Sequence, residues 1–302
     1  MSDSFPWSSW ISRLGSGPLL FPLPPRAWII VQGNDAVRFL NGQCSNQMAH
    51  LPAESALRTC ILTIKGKLVA APWAWQNEDG QTVLEVPAAQ AEAVLQRLDR
   101  YLVADDVEIS TTEAPPTWHL TGCGWPAASV QGLRTIPRLG QPGWDFPGEE
   151  PPSQRPASAT LGSSADLEAL RVALGQPGEE TEITADVFPS EIGLDRTAVD
   201  FHKGCYLGQE VVSRLESVGQ ARRGLLRWTC PVNLPRETPL QQASEGGSLR
   251  PVGFITSRSP ASEHGLWHGL ALVRTDLVSP GSSLSASQAD GPALEVMLHS
   301  IS

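Results

Sequence analysis

Lysine is almost missing from this chain: of 22 basic residues only Lys65, Lys67 and Lys203 are lysines, the rest arginines. A genomic codon bias accounts for most of that preference. Even so, two of the three lysines flank one turn and the third lies two residues before a cysteine. Cysteine is also scarce and unpatterned. Cys44, Cys60, Cys123, Cys205 and Cys230 are odd in number and contain no C-x-x-C spacing. That excludes a disulfide framework and a self-sufficient zinc or iron–sulfur site, and fits a reducing compartment, with the cytoplasm as the expectation. No apolar run approaches eighteen residues, so no membrane-spanning helix is expected. The opening "MSDSFPWSSWISRLGSG" lacks a continuous apolar core and carries an acid, which argues against a secretory signal. Positive charge is in deficit too. A formal net charge of -10 argues against bulk nucleic-acid binding, which counterion release rewards only in basic proteins.

What is present describes a globular protein of about two domains: 302 residues, 41% hydrophobic and 18% charged. Residues 1–25 are rich in Ser, Pro, Gly and Trp and are expected to be an irregular lead-in. "AWIIVQG" predicts a buried strand. "NDAVRFLNG" predicts a short helix capped by Asn34, with Val37 and Leu40 on one face. "ALRTCILT" alternates as a strand, "KGK" turns into "LVAAPWAW", and "NEDGQ" turns into "TVLEV". Pro87 is expected to open a helix reaching Leu102 with Val94, Leu98 and Leu102 on its stripe, and "DDVEIS" predicts the next strand. Proline and glycine dominate residues 126–160, where "GLRTIP" and "GWDF" are the candidate strands. A helix then runs over "SSADLEALRVALG", capped by Ser163 or Ser164 and stopped by Gly175. After Gly224 short strands ("LLRWTC", "PVGFITS", "LALVRT", "LEVMLH") alternate with turns and predict a small terminal barrel. The fold class is therefore α+β with an antiparallel sheet, followed by an all-β part.

The chemistry concentrates in "HKGCYLGQE", His202 to Glu210. Gly204 and Gly208 bracket Cys205, Tyr206 and Leu207, and glycine lets backbone approach a ligand closely. Lys203 is placed to favour a Cys205 thiolate, Gln209 can donate and accept at a heterocycle's edge, and Glu210 can accept from a ring N–H. Around them, Arg196, Lys203, Arg214, Arg222, Arg223 and Arg227 face only Asp200, Glu210 and Glu216. A locally basic segment in an acidic protein points to an anionic ligand or partner. The opposing reading is a salt-paired surface around a small packed thiol, the common fate of a free cysteine.

"KGCYLGQE" resembles the signature of the YgfZ-type folate-binding proteins, relatives of the glycine-cleavage T-protein (aminomethyltransferase). The resemblance extends through "RVALGQPGEETEITADVFPSEIGL", "VQGNDAVRFLNGQ", "TIKGKLVA" and "PVGFITS…GLALVR", nearly the whole chain from Ala27. It implies two interleaved ferredoxin-like α+β units over residues 26–215 and a C-terminal β-barrel over 216–302, ringed around a central folate pocket. It also implies tetrahydrofolate or a one-carbon derivative as cofactor, and iron–sulfur proteins or their assembly machinery as partners, tRNA-methylthiolating enzymes included. Cys205 and Lys203 carry over as the reactive pair. Gly204, Tyr206, Gly208, Gln209, Glu210 and Arg214 carry over as their ligand-side neighbours, with Glu182 as the pterin-holding carboxylate and Glu179 and Glu180 close by.

The chain departs from the transferase branch in two ways. The catalytic aspartate after a turn in the N-terminal half falls here on Ala70 or Ala71, which cannot exchange a proton, whereas the cysteine absent from that branch is present. Gln47 also stands where an aspartate is common. An accessory factor for iron–sulfur enzymes is thus favoured over a tetrahydrofolate-dependent one-carbon transferase, and both over a folate sensor with a merely packed cysteine. A lone thiolate can only share a cluster with a partner.

Overall fold

The computed structural model describes residues 7–52, 54–123, 133–219, 221–243, 248–286 and 293–301. Two sheets are threaded through each other. The first contains β1 (Pro18–Pro22), β9 (Thr117–Gly122), β10 (Gly143–Pro147) and β11 (Thr160–Leu161), in the order β10-β9-β1-β11. Between β1 and β9 the chain builds the second sheet from β2 (Arg26–Gln32), β3 (Leu57–Arg58), β6 (Trp73–Gln76), β7 (Thr82–Pro87) and β8 (Glu108–Glu113), ordered β3-β6-β7-β2-β8. A hairpin of β4 (Ile61–Leu62) and β5 (Leu68–Ala70) stands beside it.

The irregular lead-in expected over residues 1–25 is, from Trp7 onward, helix α1 (Ser8–Ser16) followed by β1. Local composition misled because the stability is tertiary: Trp7, Trp10, Leu19 and Phe21 are buried against Leu170 and Ala173. Helix α2 (Ala36–Gln43) starts one residue late, and no side chain caps it. Asn34 donates instead to Asp106. Ala36, Phe39 and Leu40 are its buried face, whereas Val37 is exposed. The "ALRTCILT" alternation also fails. Thr59, Cys60, Ile61 and Leu62 are all fully buried because the chain steps there from the second sheet to the hairpin. Pro87 ends β7 rather than opening a helix; α3 (Ala91–Asp99) follows a short 3-10 turn and buries Val94 and Leu98. The "GLRTIP" strand reduces to bridges made by Thr135 among the described residues, its Gly132 lying outside them, whereas "GWDF" is β10. Helix α4 (Ser164–Ala173) has the expected capping box at Ser163, and Gly175 ends it at φ +67°.

Helix α5 (Gln209–Val218) leads into a closed six-stranded barrel. It comprises β12 (Arg223–Cys230), β13 (Pro239–Ala243), β14 (Leu249–Arg258), β15 (Trp267–Arg274), β16 (Ser283–Ala286) and β17 (Leu294–His299). Closure leaves no open sheet edge. Trp228 fills the barrel and donates from Nε1 to the Ser257 carbonyl at 3.1 Å. Gly269 makes the close approach possible, since a Cβ there would lie 2.0 Å from the Ser257 oxygen. A separate apolar cluster, including Leu62, Leu68, Ile183, Leu194, Tyr206 and Leu272, ties the hairpin and the cysteine segment to the barrel wall.

Candidate functional site

The cysteine segment is a loop whose base is clamped and whose tip is bare. Lys203 is 7% exposed, and Nζ donates to the carbonyls of Asn41 (2.9 Å), Cys44 (2.8 Å) and Asn46 (2.6 Å). These are carbonyls at and just beyond the C-terminus of α2, where an ammonium satisfies orphan acceptors and opposes the helix dipole. Its three N–H donors are thereby used, which makes the lysine a staple between this loop and the end of α2. Burial lowers its pKa to about 8. Tyr206 packs beneath it, with Nζ 5.5 Å from the ring centroid. Burial likewise pushes the tyrosine up to about 12. Leu207 N–H donates to the Gly42 carbonyl at 3.0 Å. Gly208 takes φ +86°, and a Cβ there would meet the Thr63 carbonyl at 2.7 Å, so the motif glycine lets the loop lie on the "KGK" hairpin. Above this base Gly204 and Cys205 are exposed. Gln209 begins α5, while Glu210 and Arg214 pair at 3.2 Å on its solvent face, 86% and 72% exposed.

Glu182 is 1% exposed. Its carboxylate accepts from Arg171 (3.3 Å), from the Gly178 N–H (2.6 Å), from Thr181 and from Ser257 (2.6 Å). It joins the loop after α4 to barrel strand β14. Ala70 and Ala71 are buried at 0% and 4% exposure, leaving no acid at that point of the hairpin. Gln47 is half-buried and accepts from the Ala49 N–H.

A cavity of about 370 Å³ lies between the second sheet and α4. None of Lys203 to Glu210 lines it, nor does Arg214. Its wall combines apolar Leu23, Pro24, Trp73, Leu139 and Leu167 with Arg26, Arg58, Arg138, Arg171, Glu168 and Glu179. Most of these charges are mutually satisfied. Arg26 donates to Glu85 at 3.0 Å and with both terminal nitrogens to Glu179. Arg138 bridges Glu85 (2.5 Å) and Asp145, which also meets His119 Nδ1 at 2.7 Å. Burial alone would raise the Glu179 pKa, but the Arg26 charge overrides it and leaves about 2. Arg171 is held by Glu168 and Glu182.

Arg58 is the exception. It is 7% exposed and its Nε is buried without a partner; among the described residues its guanidinium has no hydrogen-bond acceptor. Its Cζ stands 5.0 Å from the Trp73 ring centroid, and burial depresses its pKa. Such a wall fits a planar, partly apolar ligand with an anionic end.

No protein-family model matches the chain. The fold matches the glycine cleavage system aminomethyltransferase T from Bartonella henselae at a TM-score of 0.74, with 15% identity over 97% of this chain and 88% of that one. Among curated proteins, the Chaetomium globosum iron-sulfur cluster assembly factor IBA57 homolog is 26% identical over 84% of this chain and 65% of its own length. The mouse IBA57 is 24% identical over 91% and 84%. The tRNA-modifying protein YgfZ of Sodalis glossinidius is 23% identical over 86% of each. The chain is thus similar in sequence to proteins named for iron–sulfur cluster assembly and tRNA modification, and in fold to an aminomethyltransferase.

The loop that carries the sequence motif does not line the cavity. The cavity residues Arg26, Arg58, Trp73, Arg138 and Glu179 were not among the sequence candidates, Glu179 aside as a neighbour of Glu182. A usable signal existed for Arg58, a lone charge within the otherwise uncharged "ALRTCIL".

Proposed function

We propose that this protein is a tetrahydrofolate-binding accessory factor for the assembly or repair of iron–sulfur enzymes, those that methylthiolate tRNA among its clients. The carrying observation is the Cys205 thiol: exposed, on a loop whose base is held by the buried Lys203 ammonium. A thiol so presented meets a partner protein rather than a small molecule in a cleft. Among the described residues no three His, Cys, Asp or Glu side chains converge as a metal site. Cys205 therefore offers one ligand or one nucleophile to a site completed by the partner. Two relatives bear names of iron–sulfur cluster assembly factors and a third the name of a tRNA-modifying protein, which supports the same reading.

Tetrahydrofolate, with a one-carbon derivative as the other form, is assigned to the central cavity, whose size, apolar faces and arginines suit it. Glu182 supports that wall through Arg171 and Gly178. A one-carbon transferase would need an acid near Ala70 and Ala71, and both are buried alanines.

The test has two arms. Complementation of a strain lacking its own family member should succeed with the wild type and fail with Cys205→Ala; rescue by the variant would remove the thiol from the function. Anaerobic calorimetric titration with tetrahydrofolate should show one saturable site. Absence of binding would leave only the protein-partner half of the proposal.

A further inference from the structure

A buried guanidinium without an acceptor is uncommon, because desolvating a cation without hydrogen bonds is expensive. In this molecule the neighbouring carboxylates are turned to other donors and none bonds Arg58. Glu179 acts on Arg58 through space, yet both its oxygens are bonded to Arg26. Glu85 and Asp145 serve Arg26, Arg138 and His119. The Trp73 indole covers one face of the guanidinium and holds it against the cavity. Arginine is suited to such a place, since its planar fork binds a carboxylate with two parallel N–H donors while stacked on an aromatic ring.

We propose that Arg58 is the oxyanion seat of the central cavity: the ligand carries a carboxylate that takes the free donors of Arg58 above Trp73. The inference rests on the folate reading only for the ligand's name, and it makes Arg58 the residue that distinguishes a folate from an uncharged pterin. Arg26, Arg138 and Arg171 are held by their own carboxylates and form the frame. Arg58 is the guanidinium left for the ligand.

The experiment is calorimetric titration of wild type, Arg58→Lys and Arg58→Met with three probes. They are tetrahydrofolate, p-aminobenzoylglutamate (carboxylates without the pterin) and 6-methyltetrahydropterin (the pterin without a carboxylate). Arg58→Met should weaken the first two by about 10- to 100-fold, the worth of a hydrogen bond to a charged group, and leave the third unchanged. Arg58→Lys, which keeps the charge and loses the fork, should fall between. Without ligand Arg58→Met should melt at or above the wild-type temperature, because an unpartnered buried cation is removed. Equal loss of all three probes, no loss of any, or a Met variant that unfolds would each overturn the proposal. If pterin probes bind the wild type but tetrahydrofolate binding ignores position 58, the folate reading survives and this one fails. If only p-aminobenzoylglutamate binds, and needs Arg58, the oxyanion seat stands and folate is the wrong ligand. Binding of no probe refutes both.

Discussion

Lys203 and Arg58 are cations with the same exposure, 7%, and opposite surroundings. Lys203 has an acceptor for every proton, all of them backbone carbonyls around the end of α2. Arg58 has none among the described residues. The first arrangement is complete without a ligand and makes a rigid base for an exposed cysteine. The second is complete only when something enters the cavity. Burial therefore says little about the role of a buried charge; the state of its hydrogen bonds separates a strut from a receptor.

The sharpest way to break the comparison is Lys203→Met. It strands three carbonyls, and we expect a loss of about 3 kcal/mol in urea unfolding, with the opposite sign to Arg58→Met. A neutral result would show that the staple is dispensable. Next in size is the acid response of the cavity wall. The Glu179 pKa lies at about 2 in the fold against 4.5 free, so its contribution is present above 4.5 and is lost as pH falls from 4.5 towards 2. Glu179→Gln should flatten the pH dependence of unfolding in that window and leave it unchanged above. Cys205→Ala comes third in stability while largest in function: within about 0.5 kcal/mol of wild type, as for an exposed site, but inactive in complementation. Smallest is Glu210→Ala, which removes an exposed helix pair and should leave both the melting temperature and tetrahydrofolate affinity unresolved from wild type.

Much of the architecture was readable where a local pattern and its tertiary use coincide. The Ser163 capping box, the "KGK" and "NEDGQ" turns and the succession of short barrel strands and turns depend on chemistry within a few residues. Failures fell where a distant partner decides. The Trp7–Pro22 segment is ordered by α4, the run from Thr59 to Leu62 is buried on all sides between sheets, and Asn34 spends its amide on Asp106 instead of a cap. Strands β9 and β13 carry too little apolar periodicity to stand out, and pairing with already placed neighbours defines them.

The sequence by itself determined the α+β-then-barrel order and the cysteine motif, in which Gly208 is a local requirement because its φ of +86° suits glycine. Only the tertiary structure decided what those residues touch. It turned Lys203 towards three carbonyls 157 to 162 residues away in sequence, left Cys205 in solvent, and assembled the cavity from strand, loop and helix residues between Leu23 and Thr181. Hydrogen-bond acceptors and cavity walls belong to the packed chain, and no periodicity or spacing records which buried charge will be left without a partner.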